Sequence, residues 1–365
     1  MTAFDYIIIG GGSAGCVLAA RLSEDPHVSV LLLEAGARDK SLLFHWPAGF
    51  AKMTKGIASW GWSTVPQKHM QNKEVWFTQA KVIGGGSTIN AQIYTRGNGV
   101  DYDAWERDHG CTGWNYRSLL PYFKRAGGNA RFNDDYHGID GPAAASLFET
   151  GGFWYADPAA PMPDIQFHLG QGSGIEKGIA SINGAGINGA GITLNSTFLR
   201  PRSRGTVRLA CNDPQAAPLI DPNYRADPYD LKMPLRGLDI AREILAHPAL
   251  APFVRKEVLP GPDVRSAQDL FDYACKMAKT DHHPVSTCKM GVDEMSVVDP
   301  DLWLRGIDGL RVCDASVMPQ IPSSNTNAPT IMIGEKGADL IRDHPALPPV
   351  IFSHERNDEK RFPIA

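Results

Sequence analysis

Three stretches of this sequence hold residues whose types and spacing can do chemistry. In the first, Gly10-x-Gly12-x-x-Gly15 follows the apolar run Tyr6-Ile7-Ile8-Ile9 at once, and Glu34 comes 19 residues after Gly15. Gly10 permits a tight turn, Gly12 lets a pyrophosphate approach the backbone, and Gly15 lets a helix pack close to a strand. The start of the helix that follows offers free N–H groups and a positive dipole end to phosphate. Glu34 is placed to accept a hydrogen bond from an adenosine ribose hydroxyl. The second stretch, Ala80 to Asn90, brings Gly84, Gly85, Ser87 and Asn90 together. Its glycines allow backbone contact with a flat or phosphorylated ligand, or simply a tight turn before a helix. The third comprises Asp281-His282-His283 with Cys288, and the run from Leu310 that delivers Asp314 to a loop.

Elements to position these groups are readable around them. Tyr6–Ile9 is predicted to be a buried parallel strand, Cys16–Leu22 a helix, and Val28–Leu33 a second strand ending on Glu34. Together they form a βαβ unit, the context in which a glycine fingerprint gains meaning. Residues 102–125 are predicted to be helix-rich, with Trp105, Trp114, Tyr122 and Phe123 in the core. Asp164–Leu169 alternates like a strand, and Pro228–His247 has the pattern of an amphipathic helix. Leu310–Cys313 is predicted to be a strand delivering Asp314 to a loop, with a helix from about Pro329. The aromatic segments at 46–50 and 60–62 read as loop packing or a ligand cover. The repeat Asn183-Gly-Ala-Gly-Ile, Asn188-Gly-Ala-Gly-Ile reads as a flexible loop, and the tail after His344 as frayed.

Composition narrows the classes. The 365 residues are 43% hydrophobic, enough for a sizeable core in two domains. A net charge of −4, with no basic run, argues against nucleic acid or an anionic membrane surface. No apolar run approaches the ~20 residues of a membrane span. Six scattered cysteines without a CxxC pair, and a first strand beginning near residue 4, imply reduced thiols in a cytoplasmic protein. Two other chemistries share these residues. Gly11-x-Ser13-x-Gly15 fits the nucleophile elbow of a serine hydrolase. His282, His283 and Cys288 are metal-ligand types, but no second cluster accompanies them.

Four blocks together carry a family likeness: GGGSAG with Glu34; AKVIGGGSTINAQIYTRG; HPVSTCKMG; and DASVMP followed by NTNAPTIMIGEK. The chain resembles the GMC (glucose–methanol–choline) oxidoreductases, from residue 4 to about 344. The wording of PAGFAKMT, YHGIDGP, GGFWYADP and ITLNSTFLRPRSRGTVRL is most similar to the sorbose-dehydrogenase branch. The resemblance implies an α/β protein whose FAD-binding, Rossmann-like domain is assembled from residues 1–142, 200–225 and 281–344. It implies a smaller α+β substrate domain from 143–199 and 226–280, and a tail at 345–365. It further implies oxidation of an alcohol or polyol, with electrons passing to an external acceptor.

By the same likeness, Gly10, Gly12, Ser13, Ala14, Gly15 and Glu34 match the ADP-binding part. Gly84, Gly85, Ser87 and Asn90 match a signature along the flavin, and Asp314 and Ala315 the segment beside the ribityl–pyrophosphate. His283 matches the catalytic histidine, and Asn325 the second catalytic position, with Asn327 its neighbouring alternative. Ile89 stands where some members carry a flavin-linking histidine, which implies non-covalent FAD. The assigned chemistry is sound: a neutral histidine takes a hydroxyl proton, an amide polarises the same oxygen, and flavin accepts hydride. Members of the family are longer. The likeness places a deletion near residue 142, removing the signature that ends Ser-Gly-Ile-Gly-Pro, and so admits a shortened relative that holds FAD weakly or not at all.

Overall fold

The computed structural model describes residues 3–46, 57–132, 134–142, 151–171 and 191–352. The turn segment at 47–50, most of the Asn183 repeat and the tail from 353 lie outside them, as does 143–150, just beyond the proposed junction.

The βαβ unit forms as the sequence predicts. β1 (Tyr6–Ile9) pairs in parallel with β2 (Val30–Leu33), Tyr6 opposite Val30 and Ile9 opposite Leu33. Between them runs α1 (Ser13–Leu22). Expected burial of β1 is corrected: Ile8 is buried, but Ile7 is 59% and Ile9 81% exposed. The reason is the size of the sheet, which among the described residues has only these two strands. One edge of β1 therefore pairs with nothing described, and Ile8, with Tyr6 partly buried beside it, packs on the helix-covered face.

Leu310–Cys313 is likewise corrected. It is extended, but only Arg311 bridges a neighbour, Trp303. β-branched residues make a strand only where a partner ladder lies alongside. Its Cys313 still packs with Ile8, Leu18, Leu22 and Ala338.

A short helix α2 (Leu42–His45) and the small pair β3 (Trp62–Ser63) and β4 (Trp76–Phe77) lead to α3 (Gly86–Ile89). The principal core forms where α4 (Gly99–His109) and α5 (Tyr116–Ala126) meet α8 (Asn327–Ile341). Trp105 and Trp114 are fully buried there, each indole N–H donating to a backbone carbonyl, of Gln320 and Pro300. Burying an indole while satisfying its one donor combines large apolar area with no polar penalty.

A second core lies between an antiparallel sheet and a helix. β5 (Gly151–Trp154), β6 (Ile165–Gln171) and β7 (Ile192–Phe198) stand in that order, β6 central. β8 (Thr206–Arg208) and β9 (Leu219–Asp221) form a separate hairpin. α6 (Pro228–Ala246) covers the three-stranded sheet through Met233, Ile240 and Ala241, against Ile165 and Phe167. α7 (Ala267–Met277) follows it. No helix among the described residues is long and apolar enough to cross a membrane.

α1 and α8 pack side by side through Gly334, whose Cβ would stand 3.0 Å from Val17 Cβ. Behind that contact, the buried Glu335 carboxylate accepts from Arg21 Nε at 2.9 Å and Arg125 Nε at 2.6 Å, and Arg125 also holds Asp339 at 3.0 Å. Replacing Arg125 with Met keeps the apolar stem and removes these bonds. Urea unfolding should show a loss of about 2–3 kcal/mol.

Candidate functional site

Both glycine clusters converge on one point. Gly84 N–H donates to Gly11 O at 2.6 Å, and a Cβ on Gly85 would come within 2.8 Å of Gly12 Cα. Gly10 and Gly85 have φ of +101° and +55°, a region that L side chains avoid. A Cβ on Gly15 would stand 2.0 Å from Gly10 O, whereas one on Gly12 would meet nothing within 4 Å. Gly15 is thus glycine for packing and Gly12 for open space, the division of labour that pyrophosphate binding requires. No side chain caps the start of α1, so its first N–H groups stay available to a ligand.

Glu34 accepts from Gly11 N–H at 2.8 Å and Gly36 N–H at 2.6 Å. It therefore braces the loop, while a carboxylate with about four acceptor positions retains room for a ribose hydroxyl.

Gly10, Gly12, Ser13, Ala14, Gly15, Glu34, Gly85, Asn90, Asp314 and Ala315 all border one cavity, together with His283 and Asn325. Gly84 and Ser87 do not reach its wall. Ser87 Oγ donates to Gly84 O at 2.6 Å, so the pair shapes the turn beneath it. Asp314 caps the turn Ala315–Val317 by accepting from Ser316 N–H. Ile89 is buried and lines the same cavity, offering no nucleophile.

The cavity measures about 4870 Å³, against ~300–1,000 Å³ for an ordinary small-ligand pocket. Ile7, Ile9, Leu33 and the extended segment 310–314 all line it. Its size is that of a ligand cleft merged with the uncovered side of the β1–β2 sheet.

The third stretch of the sequence assembles at this cavity. Asn325 Nδ2 lies 2.9 Å from His283 Nε2, and Thr326 Oγ1 lies 3.0 Å from His283 Nδ1. With the amide donating to Nε2, the ring proton sits on Nδ1 and is donated to the threonine hydroxyl. Burial holds the His283 pKa below the usual histidine value, as does the nearby His168, while Asp281 opposes them. His283 is therefore neutral at physiological pH, with a basic lone pair on Nε2. Burial and the Lys279 cation push its neighbour His282 down to about 4.

The loop carrying Asn325 is anchored from outside. Asp101, in the first turn of α4, accepts from Arg200 at 2.8 Å and from Ser323 N–H at 2.9 Å. Beneath His283, Asp281 accepts from the Thr197 hydroxyl of β7. Burial alone would raise the Asp281 pKa, yet Lys279, Thr197 and the two histidines hold it below the usual range.

Sequence reasoning did not single out Thr326 or Gln166, and it named Asp281 only as the start of its stretch. Gln166 donates from Nε2 to Asn325 Oδ1 at 3.2 Å. The available signal was a glutamine within a strand whose flanking Ile165 and Phe167 are apolar, since a buried amide must find a partner. The elbow reading of Ser13 loses its footing, because its hydroxyl donates at 3.2 Å to Asn327, an amide and not a base. Among the described residues no three His, Cys, Asp or Glu side chains converge as a metal set.

Comparison with known proteins bears on this arrangement. The N-terminal GMC oxidoreductase profile matches residues 4–148, and the C-terminal GMC oxidoreductase profile matches 201–334. The chain belongs to the GMC oxidoreductase family. An alcohol dehydrogenase [acceptor] of Pseudomonas putida is 28% identical, over 93% of this chain and 95% of that protein. An oxygen-dependent choline dehydrogenase of Chromohalobacter salexigens is 29% identical, over 95% of this chain and 96% of its own length. The first of these alignments spans 532 positions although this chain has 365 residues, so a long stretch of the relative faces a gap. Among solved structures, pyridoxine 4-oxidase from Mesorbium loti superposes with a TM-score of 0.84 at 21% identity, covering 94% of this chain and all of that one. Formate oxidase gives 0.85 at 16% identity, over 93% and 98% of the two chains. These likenesses establish a shared α/β fold.

The two glycines make a discriminating pair. Gly12→Ala should leave thermal stability nearly unchanged and weaken dinucleotide binding, read by calorimetric titration. Gly15→Ala should lower the melting temperature by the equivalent of about 1–3 kcal/mol, because a backbone carbonyl must move.

Proposed function

We propose that this GMC oxidoreductase binds FAD without a covalent link and oxidises an alcohol or polyol to the carbonyl. The observation that carries the reading is the meeting of His283 Nε2 and Asn325 Nδ2 at 2.9 Å, on the wall of the cavity that the glycine cradle borders. Gly10, Gly12 and the start of α1 fit a pyrophosphate; Glu34 fits the ribose; Gly85, Asn90, Asp314 and Ala315 lie where the rest of the cofactor would run. FAD, when bound, supplies the hydride acceptor, which no side chain can be.

The chain's own part is to handle the proton. A substrate hydroxyl displaces the direct contact between Asn325 and His283 and bonds to both. Asn325 Nδ2 donates to its oxygen, and His283 Nε2 accepts its proton as hydride leaves carbon, a contribution of roughly 10²–10⁴ in rate. Thr326 Oγ1 accepts the hydrogen bond from Nδ1–H and holds the ring through the transfer. The division into an FAD-binding part, carrying α1 and α8, and a substrate part, built on β5–β7 and α6, suits these roles. Sorbose-like polyols are the first substrates to try, and a cytoplasmic setting suits the six free thiols.

The exposed Ile7 and Ile9 favour a second reading, a shortened relative that retains FAD poorly. A thermal midpoint that added FAD does not raise would support that second reading over the first.

The visible spectrum of the purified protein should be that of an oxidised flavin, bleaching anaerobically with a polyol. His283→Ala should abolish the bleaching while FAD stays bound; unchanged reduction would remove His283 from the mechanism. The pH dependence has a definite sign. His283 works as the neutral base, and its pKa lies below the ordinary 6.5. The rate of flavin reduction should therefore hold as pH falls through 6.5 and decline only at lower pH.

A further inference from the structure

Gln166 stands on β6 with strands on both sides, paired to Phe153 of β5 and Thr197 of β7. The residue is 4% exposed, so its amide has little freedom to turn. From that position it donates to Asn325 Oδ1 at 3.2 Å, and Asn325 in turn donates to His283 Nε2 at 2.9 Å. The chain ends on Thr326, 3.0 Å from the other ring nitrogen. Four side chains thus form a single file of hydrogen bonds, and such a file has a sense. An amide that accepts at oxygen from one neighbour can only offer its N–H groups to the next. Reversed throughout, the same file would be equally well paired, but Asn325 would present oxygen to His283 and require a proton on Nε2. In that form the ring has no lone pair for a substrate hydroxyl. The first member of the file therefore decides whether His283 is a base.

We propose that Gln166 is a positioning residue: by donating to Asn325 Oδ1 it holds the Asn325 amide with Nδ2 toward His283 and keeps His283 in its Nδ1–H form. The inference rests on the reading of His283 as the base for its kinetic meaning, but not for its structural one. The groups facing the file are Asp281, Lys279, His168 and His282, all on the same cavity wall. Gln166 Nε2 donates to Asn325 Oδ1, and that bond sets which end of the amide faces the ring. Thr326 N–H lies 3.4 Å from His283 Nδ1, a long contact that favours the reversed sense and shows what Gln166 has to outweigh.

The test uses the FAD-loaded protein with ¹⁵N-labelled histidine, the His283 signals being assigned by their loss in His283→Gln. Long-range proton–nitrogen correlations at mildly alkaline pH should show the wild-type ring protonated on Nδ1. Gln166→Glu replaces the donor with an acceptor, so Asn325 must turn and the ring proton should appear on Nε2. Gln166→Met removes the bond with little change of volume and should give both forms in exchange. In Gln166→Glu, flavin reduction by an alcohol should slow by at least about 10-fold, with its acid limb moved to higher pH and FAD content unchanged. Thermal unfolding checks that each variant is folded; if Gln166→Glu is not, Gln166→Met decides alone. An Nδ1–H ring and a wild-type acid limb in the folded variants would overturn the proposal. Failure of the base reading would show separately, as undiminished reduction in His283→Ala, and would leave the tautomer result standing.

Discussion

The close, parallel approach of α1 and α8 is the constraint on which the site depends. Ser13 meets Asn327 at their N-terminal ends, Gly334 rests on Ala14 and Val17, and Arg342 reaches Glu24 and the Arg21 carbonyl at the far ends. Aligned helices bring two positive dipole ends to the same place, an arrangement that an anion between or beside them relieves. Glu335 helps to hold them there. Its buried carboxylate would be costly alone, and it is matched by two guanidiniums, from α1 and α5. One ionic cluster therefore ties three helices and aims two of their N-termini at the cavity where the glycine loop and Asn325 meet.

The β1–β2 sheet is the weakly covered part of the same design. α1 and α8 shield the face that includes Ile8, while Ile7 and Ile9 stand in the oversized cavity. The segment 310–314 borders that cavity too, extended but bridged to a neighbour only at Arg311. Alignment with longer relatives over 532 positions gives this geometry its context, since material present in them has no counterpart here. The hydrogen-bond file of Gln166, Asn325, His283 and Thr326 also borders the cavity, and its support comes from the three-stranded sheet and from Asp101. Loss of cover over the sheet thus bears on how firmly a cofactor is held more than on how His283 and Asn325 are aligned.

How much of this was legible in the sequence follows from the range of the forces involved. Gly10, Gly12 and Gly15 announce themselves because backbone conformation and close approach are local demands, and Glu34 because strand length sets its distance. Trp105, Trp114, Tyr122 and Phe123 were legible as core as large aromatics in a helix-rich stretch, and all four are buried. Leu310–Cys313 was misread because strandness belongs to a pair, and no sequence pattern states whether the partner is present. The burial of β1 was misread for the same reason. His283 and Asn325 were named through family likeness, not through spacing. Gln166 is 159 residues from Asn325, and a contact of that separation leaves no trace in either local pattern.

The two adjacent histidines show why residue type alone could not say which of them suits the proposed role of base. His282 takes a φ of +62°, unusual for a side-chain-bearing residue and a local cost that the surroundings must sustain. Its Nδ1 is buried without a described partner, and burial with Lys279 drives its pKa to about 4. A base so weak holds a proton poorly. His283 differs in that both ring nitrogens have partners of opposite sense, Asn325 and Thr326, whereas Asp281 opposes the effect of burial at both rings. The turn at His282 and the hydrogen-bond file through Asn325 thus do different jobs, the first placing the second ring and the other choosing its tautomer. Distinguishing them required the fold, because every one of these partners except Asp281 and Lys279 comes from another part of the chain.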